Sequence, residues 1–449
     1  MLPKIIDLFS GCGGLALGFQ KAGFEIVAGA DIMPEAVKTI SYNLHWRTGQ
    51  KEVYLCNDIT ELDGKIFSDR FGDEGCIVIG GPPCQAYSIA GRGKLRSLGD
   101  DRIHTKDERG ILYKDFIRFV LDLNAKAVVM ENVPQAISYG GKNIPQYICE
   151  ILESKGYISY WTILNAADFG VPQIRERVFV IAAKQNENIK VNLPKPSHRN
   201  WDRSMTIYQK RFKSFKRFKN FKFPKPNKNA PNIWTTVGDA FSDLPVLFED
   251  ENADYKSLPL NIEIPYKCEW QNDYQQLMRT WYGTTYLSVS ANSFRRTKRD
   301  FPIFAGMKQG DNYIKAVEIA ENMLKSTAKL YALKECSAEY ERLRLEMVPP
   351  YEMENFTNRW RRLEENKPSH TLTAHLSKDT YSHIHPWEPR GISVREAARL
   401  QSFPDDFFFN CSMGDAFKLI GNAVPPLLAY SVAVSVKNAF MEEKDYESA

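Results

Sequence analysis

Three kinds of side chain in the first 180 residues have the makings of a reactive centre. Cys84 follows Gly80-Gly81-Pro82-Pro83 and precedes Gln85-Ala86-Tyr87-Ser88. A thiol on a turn can be a nucleophile when it has partners, although most free cysteines are small buried hydrophobes. Glu131 opens the stretch Glu131-Asn132-Val133-Pro134. A carboxyl there is a candidate acid or base whose pKa burial can raise, or else a helix cap or an arginine partner. Arg175 and Arg177, in Gln173-Ile174-Arg175-Glu176-Arg177, share one side of an extended segment. Such a pair can grip phosphate or a carbonyl oxygen, or form an ordinary surface salt bridge.

These residues are useful only if secondary structure gathers them. The apolar run Cys76-Ile77-Val78-Ile79 reads as a short buried strand, and the two prolines force the chain out of the sheet. Cys84 therefore falls on a turn at the sheet edge, where open α/β sheets place their ligands. Lys126 to Met130 reads as the next parallel strand, which brings Glu131 to the same edge. Upstream, Lys4-Ile5-Ile6-Asp7-Leu8-Phe9 is a strand running into Ser10-Gly11-Cys12-Gly13-Gly14 and a helix over 15–22. Strand, glycine turn and helix start suit a nucleotide-like ligand, and the pattern Gly11-x-Gly13-x-x-Ala16 leaves NAD open. A strand over 25–30 ends in Asp31 and one over 53–59 carries Asp58 at its end. The two acids suit an adenosine, or are helix caps. A helix over 111–123 and strands over 157–165 and 178–183 extend the α/β alternation.

The chain of 449 residues is long enough for two or three domains, and 43% hydrophobic with 25% charged residues is ordinary for a globular protein. No run of about 18 apolar residues and no secretory pattern is seen, so a cytoplasmic protein with no membrane partner is expected. The eight cysteines form no C-x-x-C pair, which argues against a disulfide framework and against a structural metal. His383 and His385, with no carboxylate or thiol beside them, read as structural. The net charge is +4, yet residues 199–228 alone carry +10, which points to a polyanion site. Within it, aromatics at 208, 212, 215 and 218 form one helical stripe, leaving Lys210, Arg211, Lys213, Lys216 and Arg217 for phosphates. Residues 314–347 read as a packed helical hairpin, and an apolar helix over 427–440 should return beside the first helix.

Taken in order, Phe9-Ser10-Gly11-Cys12-Gly13-Gly14, Pro83-Cys84-Gln85, Glu131-Asn132-Val133 and Gln173-Ile174-Arg175-Glu176-Arg177 strongly resemble the DNA (cytosine-5) methyltransferase family. The segment 390–404 and Gly421-Asn422-Ala423-Val424-Pro425-Pro426 complete the resemblance. It implies a class I S-adenosylmethionine-dependent methyltransferase fold: a Rossmann-like, seven-stranded α/β sheet with a smaller, irregular target-recognition domain. The implied division is a catalytic domain at 1–185, a recognition domain at 186–410 whose variable part is 190–355, and a segment 411–449 returning to the catalytic domain.

The cofactor implied is S-adenosylmethionine. The resemblance carries Phe9, Ser10, Gly11, Gly13, Gly14 and Pro82 to its pocket, Asp31 to the ribose, Asp58 with Ile59 to the adenine, and Asn422 and Ala423 to the methionine end. Ile32 stands where many relatives have a large aromatic against the adenine. Cys84 would add to C6 of cytosine, Glu131 would hydrogen-bond N3 and read the N4 amine, and Arg177 would hold O2. Arg175 would orient Glu131 or a flanking phosphate. The target base must be swung out of the duplex, and the polar stretch 86–109 suits a lid. Gln85, Ser88, Arg92, Lys94 and Arg96 would meet DNA. A transfer-RNA cytosine methylase and a catalytically silent DNA-binding subunit are the alternatives. The partner implied is double-stranded DNA, with a cognate restriction endonuclease possible in the same prokaryotic system and a monomeric state expected.

Overall fold

The computed structural model describes residues 2–49, 53–83, 112–185, 189, 192–200, 207–223, 227, 229–248, 258–297, 299–351, 359–378 and 381–447. It divides into two compact units, Met1–Trp234 with Asn422–Ala449, and Thr235–Gly421.

The first unit is built on β1 (Lys4–Leu8), β2 (Ile26–Asp31), β3 (Tyr54–Cys56), β4 (Cys76–Gly80), β5 (Ala127–Asn132), β6 (Tyr157–Asn165) and β7 (Glu176–Lys184). They form one seven-stranded sheet in the order β3-β2-β1-β4-β5-β7-β6. The first five strands are parallel, while β7 runs antiparallel between β5 and β6. β1, β4 and β5 are almost wholly buried because helices cover both faces, which is why they read as apolar runs without alternation. The order reverses between β1 and β4, and the crevice at such a switch point is the usual ligand site.

Helices α1 (Gly14–Lys21), α2 (Pro34–Leu44), α3 (Tyr113–Asp122) and α4 (Ile144–Ser154) flank this sheet. α4 starts where Asn143 accepts a hydrogen bond from the Gln146 backbone N–H. The C-terminal helix Pro426–Glu447 packs on α1, with the Lys437 ammonium donating to the Ala22 carbonyl, so the catalytic unit is discontinuous. Met413–Met441 is apolar and long enough for a membrane span, yet it is broken between Asn422 and Pro426 and mostly buried in the protein.

Two features of the first unit differ from the sequence reading. The boundary expected at 185/186 falls at Trp234/Thr235, because the chain after β7 packs back onto the sheet. The helical stripe expected through residue 218 also stops early: α5 (Ile207–Phe215) ends at Phe215. Beyond it the phenylalanines follow a turn and gather on Trp161 of edge strand β6. Ring centroids of Phe215, Phe218 and Phe221 lie 5.8, 5.9 and 4.6 Å from Trp161. The Trp161 N–H donates to the Asn220 carbonyl and Lys222 donates to the Trp161 carbonyl, which covers the open edge.

The second unit contains α6 (Val237–Phe241), α7 (Asp273–Arg279), α8 (Phe301–Gly306), the hairpin α9 (Tyr313–Leu330) and α10 (Ala338–Met347), and α11 (Val394–Leu400). The hairpin packs on an aromatic core of Phe301, Phe304, Tyr313 and Trp360. Around α11 lies a buried charge network. Arg390 donates to both oxygens of Glu396 at 2.7 and 2.8 Å and to Glu388, while Arg399 bridges Asp243 and Asp405.

Contrary to the sequence reading, His385 does have carboxylate neighbours, with Nε2 3.6 Å from Glu396 and 3.8 Å from Glu388. Glu388 stands only three residues on, while Glu396 is the one that separation along the sequence hides. Arg390 already supplies the cation for these carboxylates, so an ion would have to displace a guanidinium held by both. Removing one partner of such a pair strands a buried charge, so Glu396→Gln is expected to cost about 3–5 kcal/mol. A lower urea midpoint for the second unit, followed by its tryptophan fluorescence, checks this.

Candidate active site

The glycine turn after β1 departs from ordinary backbone at three places, with φ of +54° at Phe9, +54° at Gly11 and +88° at Gly13. Gly13 sits at the N-cap of α1 in the left-handed region, and a Cβ there would meet the Ile40 side chain at 2.6 Å. At Gly11 the added atom would meet nothing within 4 Å, so this side of the turn faces open space at the sheet edge. Ser10 is buried, with its hydroxyl donating to the Ala30 carbonyl at 3.4 Å. Gly14 is buried as the first residue of α1.

Asp31 ends β2 and braces this turn. Its two oxygens accept from the Gly11 and Met33 backbone N–H groups, each at 2.8 Å. A carboxylate has room for further acceptor bonds, so these do not preclude ribose hydroxyls. Next to it Ile32 is 62% exposed, an apolar side chain at the same edge. Asp58 accepts from the backbone and hydroxyl of Thr60 at 2.9 and 2.8 Å. The Ile59 side chain is in the core and its carbonyl accepts from Arg118 at 2.9 Å.

The exits of β4 and β5 are joined. Asn132 donates from Nδ2 to the Pro82 carbonyl at 3.2 Å and accepts from the Val133 N–H at 2.8 Å. A Cβ at Gly81 would lie 3.1 Å from Glu131 Oε2, so the carboxyl occupies the space beside the chain leaving β4. The described chain is held at this edge through Pro83, the residue before Cys84. Cys84 itself, Gln85, Ser88, Arg92, Lys94, Arg96 and the expected lid 86–109 lie outside the described residues.

Glu131 is 8% exposed, and its Oε1 is 2.9 Å from Arg177 Nε. Burial pushes its carboxyl above the ordinary glutamate range, against the opposing pull of Arg177 and Arg175. Arg177 also donates to the Glu176 carbonyl at 2.8 Å. For Arg175 the structure separates the alternatives, a phosphate on one hand and a carbonyl oxygen or Glu131 on the other. Arg175 is fully buried, and its Nη2 donates to the Ala423 carbonyl at 3.0 Å, so it does not face solvent as a phosphate contact would. Its charge still bears on Glu131. Asn422, just before Ala423, is exposed.

Sequence reasoning missed Gly81 and the tie from Asn132 to Pro82. A glycine and an asparagine at successive strand exits were the available signal. It also missed Asn165, which accepts from the Arg175 backbone N–H at 3.2 Å. Arg175→Met removes a buried guanidinium and its bond to the Ala423 carbonyl and should cost about 1–3 kcal/mol, a loss that urea denaturation measures.

A glycine turn facing open space, an acid at the end of β2, and a buried carboxyl paired with arginine beside the β4 exit define a class I methyltransferase. The family profile described as C-5 cytosine-specific DNA methylase matches residues 3–438. The chain belongs to that family and is a DNA cytosine-5 methyltransferase, acting on DNA with a methyl donor of the S-adenosylmethionine type. It is 51% identical over 441 residues to the "Putative type II methyltransferase M.OihORF3336P" of Oceanobacillus iheyensis, covering 97% of this chain and 95% of that one. It is 31% identical over 468 residues to the type II methyltransferase M.AgeI of Thalassovita gelatinovora, covering 97% and 99%. In fold it is similar to the crystal structure of a "putative DNA modification methyltransferase encoded within prophage" of E. coli, with a TM-score of 0.62 at 23% identity, covering 98% and 100%.

Proposed function

We propose that the chain methylates C5 of an extruded cytosine in duplex DNA through a transient bond from Cys84 to C6. The observation that carries this reading is Glu131, buried, paired with Arg177 and packed against Gly81 at the exit of the strand that leads to Cys84. C5 of cytosine is a poor nucleophile. A thiolate adding at C6 moves electron density to C5 and leaves negative charge on the ring. Glu131 in its protonated form donates to N3 and accepts from the N4 amine, a pairing that thymine cannot offer. Its raised pKa favours that form. Arg177, beside it, is the donor for O2. Loss of the C5 proton then lets the thiolate leave.

S-adenosylmethionine, when bound, supplies an electrophilic methyl on a positive sulfur. The open side of Gly11, the Asp31 carboxylate and exposed Ile32 form an edge of the right chemistry for its adenosine, with Asp58 and Ile59 toward the base. Asn422 and Ala423, the latter fixed by Arg175, would hold the methionine end. Extrusion of the base unstacks it at a cost of a few kcal/mol, which the lid stretch 86–109 would help offset by closing over it. The second unit is the candidate recognition domain.

The relatives are named as type II methyltransferases, which supports a restriction-modification role with a cognate endonuclease in the same system. A cytoplasmic, monomeric enzyme near its DNA is part of the same proposal. Labelled S-adenosylmethionine offered with random duplex DNA and with transfer RNA tests the reading. Label in the duplex only, at one bisulfite-resistant sequence context, is expected. Label in transfer RNA only would overturn it.

A further inference from the structure

We propose that residues 210–222 form a second phosphate-backbone contact on the catalytic unit, one that grips duplex DNA flanking the target base. This rests on the reading of the site as acting on duplex DNA. Between positions 207 and 223 the chain carries seven Lys or Arg residues and no acid, in a protein whose net charge is only +4. All seven are exposed. Lys219 pairs with Glu153 at 2.9 Å, Lys222 lies over the Tyr160 ring at 4.0 Å and Arg217 over Phe218 at 5.0 Å. Lys210, Lys213 and Lys216 have no acidic partner among the described residues.

Protection of an open strand edge is the ordinary use of lysines beside a sheet. Here the backbone of Asn220 and Lys222 already occupies the β6 edge, so those three cations are surplus to that task. Like charges this close repel, and the fold holds them in place with a hydrophobic anchor. Phe212 and Phe215 are buried, and Phe212 packs on Phe223 and Phe221 with centroids 4.5 and 5.8 Å apart. Asn220 is locked by bonds to Gln146 and the Ser159 carbonyl at 2.8 and 3.1 Å.

The anchor also fixes the patch relative to the chemistry. Trp161 is in register with Val180, and Val180 with Met130, the residue before Glu131. Two strand spacings, about 10 Å, therefore separate Trp161 from the line of the catalytic carboxyl. Patch and site belong to one compact unit. A polyanion bound by one is thus presented at a constant offset from the other, as a continuous duplex requires.

The test combines Lys210→Gln, Lys213→Gln and Lys216→Gln, with the three lysine-to-arginine changes as a charge-preserving control. Affinity is measured across salt for duplexes of about one and about four helical turns carrying the recognised sequence. Each phosphate contact contributes about 0.9 to the slope of log affinity against log salt, so three lost contacts flatten it by about 2.7. Between 50 and 200 mM salt the wild type should thus lose about 40-fold more affinity for the long duplex than the glutamine variant does. The arginine control should follow the wild type. A glutamine variant that melts like the wild type yet keeps its salt slope on the long duplex would overturn the inference alone. Wild-type transfer of labelled methyl to the same duplexes is measured alongside. Its absence from both would instead overturn the function on which the inference rests.

Discussion

Cys84→Ala is expected to abolish methyl transfer, a fall of about 10⁴- to 10⁶-fold, while affinity for the methyl donor and for duplex DNA stays within a few fold. The size follows from what the thiolate does. Without addition at C6, C5 keeps the low nucleophilicity of an intact aromatic pyrimidine, and no other group at the described sheet edge can substitute: Cys12 and Cys76 are buried. In the proposed reading donor and duplex are held by residues other than the thiol, so removing it leaves their contacts in place. The proposed donor edge, Gly11, Asp31 and Ile32, lies at the ends of β1 and β2, across the sheet's switch point from β5. Single-turnover transfer of labelled methyl, with binding measured independently, checks both halves. Residual turnover within 100-fold of wild type would place the nucleophile elsewhere.

The second large effect is at Glu131. Glu131→Ala removes the N3 donor and N4 acceptor together and leaves Arg177 without its carboxylate, so a loss of about 10²–10⁴-fold in the methylation step is expected. Glu131→Gln keeps one donor and one acceptor and should retain more activity. The variants also separate by pH. Burial raises the Glu131 pKa, so the protonated form persists to higher pH than for an exposed glutamate, and the step that needs it slows as pH rises through that value. The glutamine variant has no such proton and should lose this limb of the profile. An identical alkaline limb in both proteins would assign it to another group.

The sheet was legible because each parallel strand is a local apolar run stopped by glycine, proline or an acid. That alone placed Glu131 at the exit of the strand beside the one leading to Cys84. The long-range contacts were not legible. Arg175 could be read toward phosphate, a carbonyl oxygen or Glu131, and nothing local says that the carbonyl is that of Ala423, 248 positions away. The aromatics at 208, 212, 215 and 218 read as one helical stripe, since nothing local announces that Trp161 of β6 receives Phe215 and Phe218 together with Phe221. For His385 the sequence already offered Glu388 three residues on, but Glu396 comes eleven residues later, beyond a turn that Arg390 closes. In each case the missing information was a tertiary partner, which composition and periodicity do not encode.

The account depends on a covalent bond between enzyme and base, and fluorine at C5 of the target cytosine makes that bond persist, because the proton whose loss releases the thiolate is absent. The direct measurement is the intact mass of the protein after reaction with 5-fluorocytosine duplex and S-adenosylmethionine, followed by peptide mapping. The account predicts a stable adduct carrying the added methyl, located at Cys84 and missing in Cys84→Ala. A protein that methylates ordinary duplex yet leaves the fluorinated duplex unbound after denaturation, or that carries the adduct on another residue, would contradict it.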